Sequence, residues 1–202
     1  MRPERRKPQS RKRDETRKRL LDAAETAFNF LGFDGTDTNR IARAAGFAPQ
    51  TFYRHFEDKT DIFLAVYDRW WRDEGTAVAK TIAAGGRAED IARVVIRFHA
   101  RWRVFRRSLR HLAVSDARVR VARASARLEQ LQALKRIPGA KHRSDAELSA
   151  ALLSLERLCD AAAEREFTDL GISVADTHKM IAAAVRVTHG ARSRKSAQRN
   201  RH

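Results

Sequence analysis

Residues 32–63 read GFDGTDTNRIARAAGFAPQTFYRHFEDKTDIF, and the spacing of apolar and punctuating residues within them decides the fold. Ile41, Ala42 and Ala45 share one face of a short helix, entered through the polar cluster Thr36, Asp37, Thr38 and ended at Gly46. Gly46, Phe47 and Ala48 form a turn, and Pro49 suits the first turn of the next helix, where its missing N–H costs nothing. Phe52 and Phe56 supply the inward face of that brief helix. Asp58 and Asp61 then make a capping pair for a longer helix with the stripe Ile62, Phe63, Val66, Tyr67 and Trp70.

Upstream, Leu20, Ala24, Ala27, Phe28 and Leu31 form the stripe of a first helix that stops near Gly32. Downstream, Gly85 and Gly86 interrupt the pattern. Phe98, Trp102, Phe105, Leu109 and Leu112 share a face if one helix continues through them, with a bend near Arg103. A further helix runs from about Asp116 to Ile137 and ends at Pro138 and Gly139. Ser144 with Glu147 is a capping box for a helix carrying Leu148, Leu152, Leu155, Cys159 and Ala162, closed by Gly171. Ser173 and Asp176 open a last helix with Met180, Ile181, Ala184, Val185 and Val187. No β-hairpin signal or fixed-period repeat occurs, so the expected class is all-α.

The 202 residues carry a formal charge of +17, which draws the chain to polyanions, either nucleic acid or an anionic membrane surface. Residues 1–13 and 191–202 are strongly basic and nearly free of apolar residues, and read as a disordered arm and a flexible tail. Cys159 is the only cysteine, so no internal disulfide or thiolate cluster is expected, and the histidines show no metal-binding spacing. Neither a signal-type segment nor an apolar run approaching about 18 residues is present, which fits a cytoplasmic protein without membrane spans. No glycine-rich phosphate loop, HExxH pattern or nucleophile elbow suggests an enzyme or a cofactor.

A helix, a three-residue turn containing Gly and a short second helix make the layout that holds a recognition helix in the DNA major groove. In Gly32, Phe33, Thr36, Ile41, Ala42, Gly46, Thr51, Phe52, Tyr53, Phe56 and Lys59 the stretch resembles the N-terminal domain of the TetR family of repressors. Ala48 departs from it, standing where the family usually has a capping Ser, and Thr38 stands at a commonly aliphatic position. The resemblance implies a helix-turn-helix DNA-binding domain over 14–62, joined by a long helix to an effector-binding and dimerisation domain over 63–190. It implies a ligand-responsive repressor that binds a pseudo-palindromic double-stranded operator as a homodimer, bound to the bacterial nucleoid when on DNA.

The resemblance also implies roles. Gln50 and Asn39 would read base edges, and Pro49 and Thr51 would meet thymine methyls. Thr38, Tyr53, His55 and Lys59 would hold phosphates, with Arg54 also within reach of DNA; the lesser alternative for Tyr53 is a packed surface aromatic. In the second domain, Trp70, Trp71, Phe98, Trp102 and Phe105, with His99 or His111 as polar anchor, would line an effector pocket or pack as ordinary core. Arg101, Arg103, Arg106, Arg107 and Arg110 would attract an acidic effector or stay solvated. The stripes of the last two long helices suit a four-helix dimer interface, and an intramolecular core predicts the same pattern. Two rivals remain at this level: a basic protein coating DNA without reading it, and an anionic-membrane-surface protein.

Overall fold

The computed structural model describes residues 8–137, 140 and 142–189. Among them the chain is helical without strands: α1 (Pro8–Leu31), α2 (Thr38–Ala44), α3 (Pro49–Tyr53), α4 (Lys59–Ala83), α5 (Ala88–Arg101), α6 (Arg103–Ser115), α7 (Ala117–Lys135), α8 (Asp145–Ala163), α9 (Glu166–Asp169) and α10 (Val174–His189).

Local signals set most boundaries. Asp58 accepts from the Asp61 N–H at 2.8 Å to start α4, Asp116 accepts from the Arg118 N–H at 2.8 Å to start α7, and Ser144 with Glu147 forms the expected capping box of α8. The expected bend near Arg103 falls at Trp102, where α5 gives way to α6.

Two boundaries differ from expectation. α1 begins at Pro8, so residues 8–13 of the expected arm are helix, while residues 1–7 and the expected tail 191–202 lie outside the described residues. Leu20, Leu21, Ala24 and Phe28 are buried, and a helix anchored by those later turns extends backward through charged residues of good helix propensity. The helix expected to reach Gly171 ends at Ala163. Arg165 adopts a left-handed φ of 67°, and Arg157 Nη2 binds both carboxylate oxygens of Glu166, folding α9 back on α8.

Two hydrophobic clusters form. The first joins α1–α4 to α6 and α7 around Leu20, Phe28, Ile41, Phe52, Phe63, Trp70, Phe105 and Leu109. It runs through α4 without a break at residue 62, so residues 14–62 share their core with the helices behind them. The second packs α5, α8 and α10 around Ile91, Val95, Leu155, Cys159, Ile181 and Val185. Leu148, Leu152, Leu155 and Cys159 of the expected dimer stripe are buried inside this chain, as are Ile181 and Val185 of α10; the apolar residues left exposed there include Leu153 and Met180. No described helix is long and apolar enough to cross a membrane.

Candidate nucleic-acid interface and effector cavity

α2 starts at Asp37, whose side chain accepts from the Arg40 N–H at 2.7 Å, and buries Ile41 and Ala42. The turn needs Gly46: its φ is 78°, and a Cβ there would lie 2.8 Å from Arg19 Nη2, which donates to the Ala45 carbonyl. α3 is five residues long and is anchored by Phe52, fully buried, with Phe56 just beyond it. Its N-cap, Ala48, has extended backbone but no side-chain cap.

With Phe52 turned inward, the opposite side of α3 is free of core contacts. Asn39, Gln50, Tyr53 and Arg54 are exposed, and Thr38, Pro49, Thr51 and His55 are half-buried. Thr38 Oγ1 and Tyr53 Oη share a hydrogen bond of 3.0 Å, tying the start of α2 to the end of α3. Tyr53 is 58% exposed, with its ring edge-on to Phe52 at a centroid distance of 5.3 Å.

Lys59 sits differently from the free phosphate ligand that was expected. Its ammonium donates to the carbonyls of Phe33 and Thr36, both at 3.0 Å, and lies 4.0 Å from the Phe33 ring centroid. It closes the α1–α2 connection from within. The sequence reading also missed a basic recess in which Lys12, Arg13 and Thr16 of α1 face Arg54 and His55. The cue was helical spacing from Leu20 back through Thr16 and Arg13, hidden by treating residues 1–13 as disordered. Burial, with repulsion from Arg13, Arg17 and Arg54, holds His55 below the ordinary histidine range, so it is uncharged at neutral pH.

A cavity of about 530 Å³ lies among α4, α5, α6, α7 and α8. Of the expected lining, Trp70, Trp71 and His99 are present. Phe98, Trp102 and Phe105 are not: Phe105 stacks at a tilt on Phe63 with centroids 4.6 Å apart, Trp102 sits edge-on to Phe105, and Phe98 packs against the same cluster. His111 is exposed and does not line the cavity.

Behind the cavity lies a charged network that periodicity did not reveal. Arg106, neither solvated nor free for an acidic ligand, is 2% exposed and donates through Nε and Nη2 to Asp160 at 3.0 Å and to Glu156 at 2.8 Å. Arg123 and Arg127 also bind Glu156, Arg110 bridges Asp160 and Glu164, and His99 Nδ1 meets Asp160 at 2.8 Å. Burial pushes the Glu156 carboxyl up, but its three arginines outweigh this and bring it down to about 2. Burial likewise opposes ionisation of Asp160, and hydrogen bonds from His99 and Arg106 hold it far below the usual carboxylate range. Among the described residues no His, Cys, Asp and Glu cluster is placed to hold a metal ion.

Comparison with known proteins agrees with this geometry. A family model described as bacterial regulatory proteins, tetR family, matches residues 20–66. The chain is 39% identical over 54 residues to the HTH-type transcriptional regulator AcrR of Shigella flexneri, a match covering 27% of this chain and 25% of that one. It is 32% identical over 83 residues to the HTH-type transcriptional regulator YdgC of Bacillus subtilis, covering 41% and 43%. The chain thus spans less than half the length of these curated relatives. Over the whole fold it superposes on a TetR family transcription regulator from Marinobacter aquaeolei with a TM-score of 0.59 at 20% identity, covering 89% of this chain and 97% of that one. The fatty acid degradation regulator FadR of Bacillus halodurans gives 0.56 at 13% identity, covering 90% and 96%. The match to the tetR-family model spans residues 20–66, and the all-helical fold around it is that of these structural neighbours.

Proposed function

We propose that this protein is a sequence-reading transcriptional regulator, a ligand-responsive repressor that binds a pseudo-palindromic operator as a homodimer in the bacterial cytoplasm. The observation that carries it is α3, whose inward face is held by Phe52 while Gln50 stands exposed at its N-terminal end and Asn39 is exposed on α2. An exposed amide there can donate to and accept from an adenine edge, and Pro49 and Thr51 offer apolar surface to thymine methyls. Tyr53, joined to Thr38, and Arg54 and His55, beside Lys12 and Arg13, supply the flanking backbone contacts.

Residues 14–62 act as the reading unit and 63–190 as the effector and dimerisation unit, with α4 common to both. The partner copy docks on α8 and α10, which would set two recognition helices about one DNA turn, roughly 34 Å, apart. A dimer seated on a promoter represses by excluding polymerase.

Selection from random duplexes at physiological salt tests the reading. The parent chain should enrich a pseudo-palindrome, and Gln50→Ala should relax the preference at one base pair per half-site, with a loss of about 1–3 kcal/mol there. If Gln50→Ala weakened selected and random DNA alike, α3 would not be reading bases.

A further inference from the structure

We infer that the cavity beside Trp70 binds an uncharged, largely apolar molecule carrying a hydroxyl or amide group, which accepts from Trp70 Nε1 and donates to Glu74. This specifies the effector of the regulator proposed above and rests on that reading.

Size and lining suit such a guest. The cavity of about 530 Å³ lies within the range of small-molecule sites, and one end is walled by Val78, Ile82, Leu134 and Ile137. Polar groups gather at the other end. Trp70 and Glu74 stand one turn apart on α4, on the face that lines the cavity. Trp70 is 1% exposed and its Nε1 has no hydrogen-bond partner. Its ring is held by the Arg106 guanidinium, 4.7 Å from the centroid, and by His99 edge-on. A buried indole N–H with nothing to donate to is costly, and a ligand oxygen would remove that cost.

Glu74 is also buried, at 9% exposure. Its Oε1 lies 3.4 Å from His99 Nε2 without making a hydrogen bond. Burial and the Arg106 charge oppose protonation of His99, but Asp160 and Glu74 outweigh them and hold it above its ordinary value, so its imidazolium Nε2 faces the Glu74 carboxylate. The Glu74 charge is thus matched by His99, while its Oε1 has no hydrogen-bond partner and keeps capacity to accept from a ligand.

The same wall disfavours an ion. Glu156 is taken by Arg106, Arg123 and Arg127, and Asp160 by His99, Arg106 and Arg110. A carboxylate or ammonium head would enter a low-dielectric site whose buried charges are already matched, and would have to break one of these pairs or stay uncompensated.

Calorimetric titration of the full chain without DNA tests this, using para-propylphenol, propylbenzene, para-propylbenzoate and para-propylbenzylammonium. The phenol should bind about tenfold or more tighter than either ion. Trp70→Phe should weaken the phenol about tenfold and leave propylbenzene unchanged. Glu74→Leu, which does not rely on replacing a core aromatic, should weaken the phenol and strengthen propylbenzene. Equal or tighter binding of either ion, parallel losses for phenol and hydrocarbon in both variants, or no binding by any of the four at millimolar concentration would overturn the inference. Because no DNA is present, its failure leaves the operator reading standing, and failed operator selection leaves the titration interpretable.

Discussion

At the scale of single residues, the exposed amides of Asn39 and Gln50 follow from helical periodicity, because Ile41 and Phe52 must point inward. The direction of Lys59 does not. Its ammonium is held by carbonyls 26 and 23 residues away, a partnership set by how the α1–α2 connection folds over the start of α4. Lys59→Met should therefore lower unfolding free energy by about 2 kcal/mol in urea denaturation, the scale of a lost charged hydrogen bond. The salt dependence of DNA affinity should barely change, whereas Arg13→Ala should reduce its slope by about 1. A fully stable Lys59→Met protein with a reduced slope would return Lys59 to the phosphate contacts.

Among the elements, the caps written into the sequence by Asp58, Asp116 and Ser144 all appear in place, since a cap involves groups within a few residues of each other. The recognition helix is the exception in chemistry though not in position. Ala48 has the extended backbone of an N-cap, φ −66° and ψ 150°, but no oxygen to offer the free N–H groups of α3. Ala48→Ser should raise stability by about 1 kcal/mol, measured by thermal unfolding, without altering which operator is selected. No gain would mean that neighbouring groups or solvent already satisfy those amides. The end of α8 at Ala163 was not legible, because it depends on the Arg157–Glu166 pair and the left-handed Arg165 rather than on a helix-breaking residue.

On the scale of the whole molecule, the carboxylates beneath the cavity make stability depend on pH. Glu156, at about 2, and Asp160 are both held below their unfolded values, so their contribution is complete above the ordinary carboxylate range and is lost as pH falls through the folded values. Melting temperature should decline from about pH 4 toward pH 2. Asp160→Asn should flatten that decline while costing about 3–5 kcal/mol at neutral pH by removing the buried charge shared by His99, Arg106 and Arg110; an unchanged acid limb would remove Asp160 from the cause. Association is a separate matter at this scale. With Leu148, Leu155 and Ile181 committed inside the chain, Leu153 and Met180 are among the apolar groups on α8 and α10 left for a partner copy. Leu153→Glu combined with Met180→Glu should shift gel-filtration mobility from dimer to monomer at micromolar concentration while helicity is retained. A double variant eluting with the parent would place the contact elsewhere.

Periodicity and capping were enough for the all-helical class, the starts of α2, α3, α4, α7, α8 and α10, and the side of α3 that faces out. These depend on a period of 3.6 residues and on caps spanning a single turn. Only the tertiary structure decided which aromatic residues line the cavity, where Lys59 points and that Arg106 is buried. His99 and Arg106 meet Asp160 across 61 and 54 residues of chain, and no local pattern encodes such pairings. They come into being when α5, α6 and α8 pack, because charges enclosed together must find partners or be expelled.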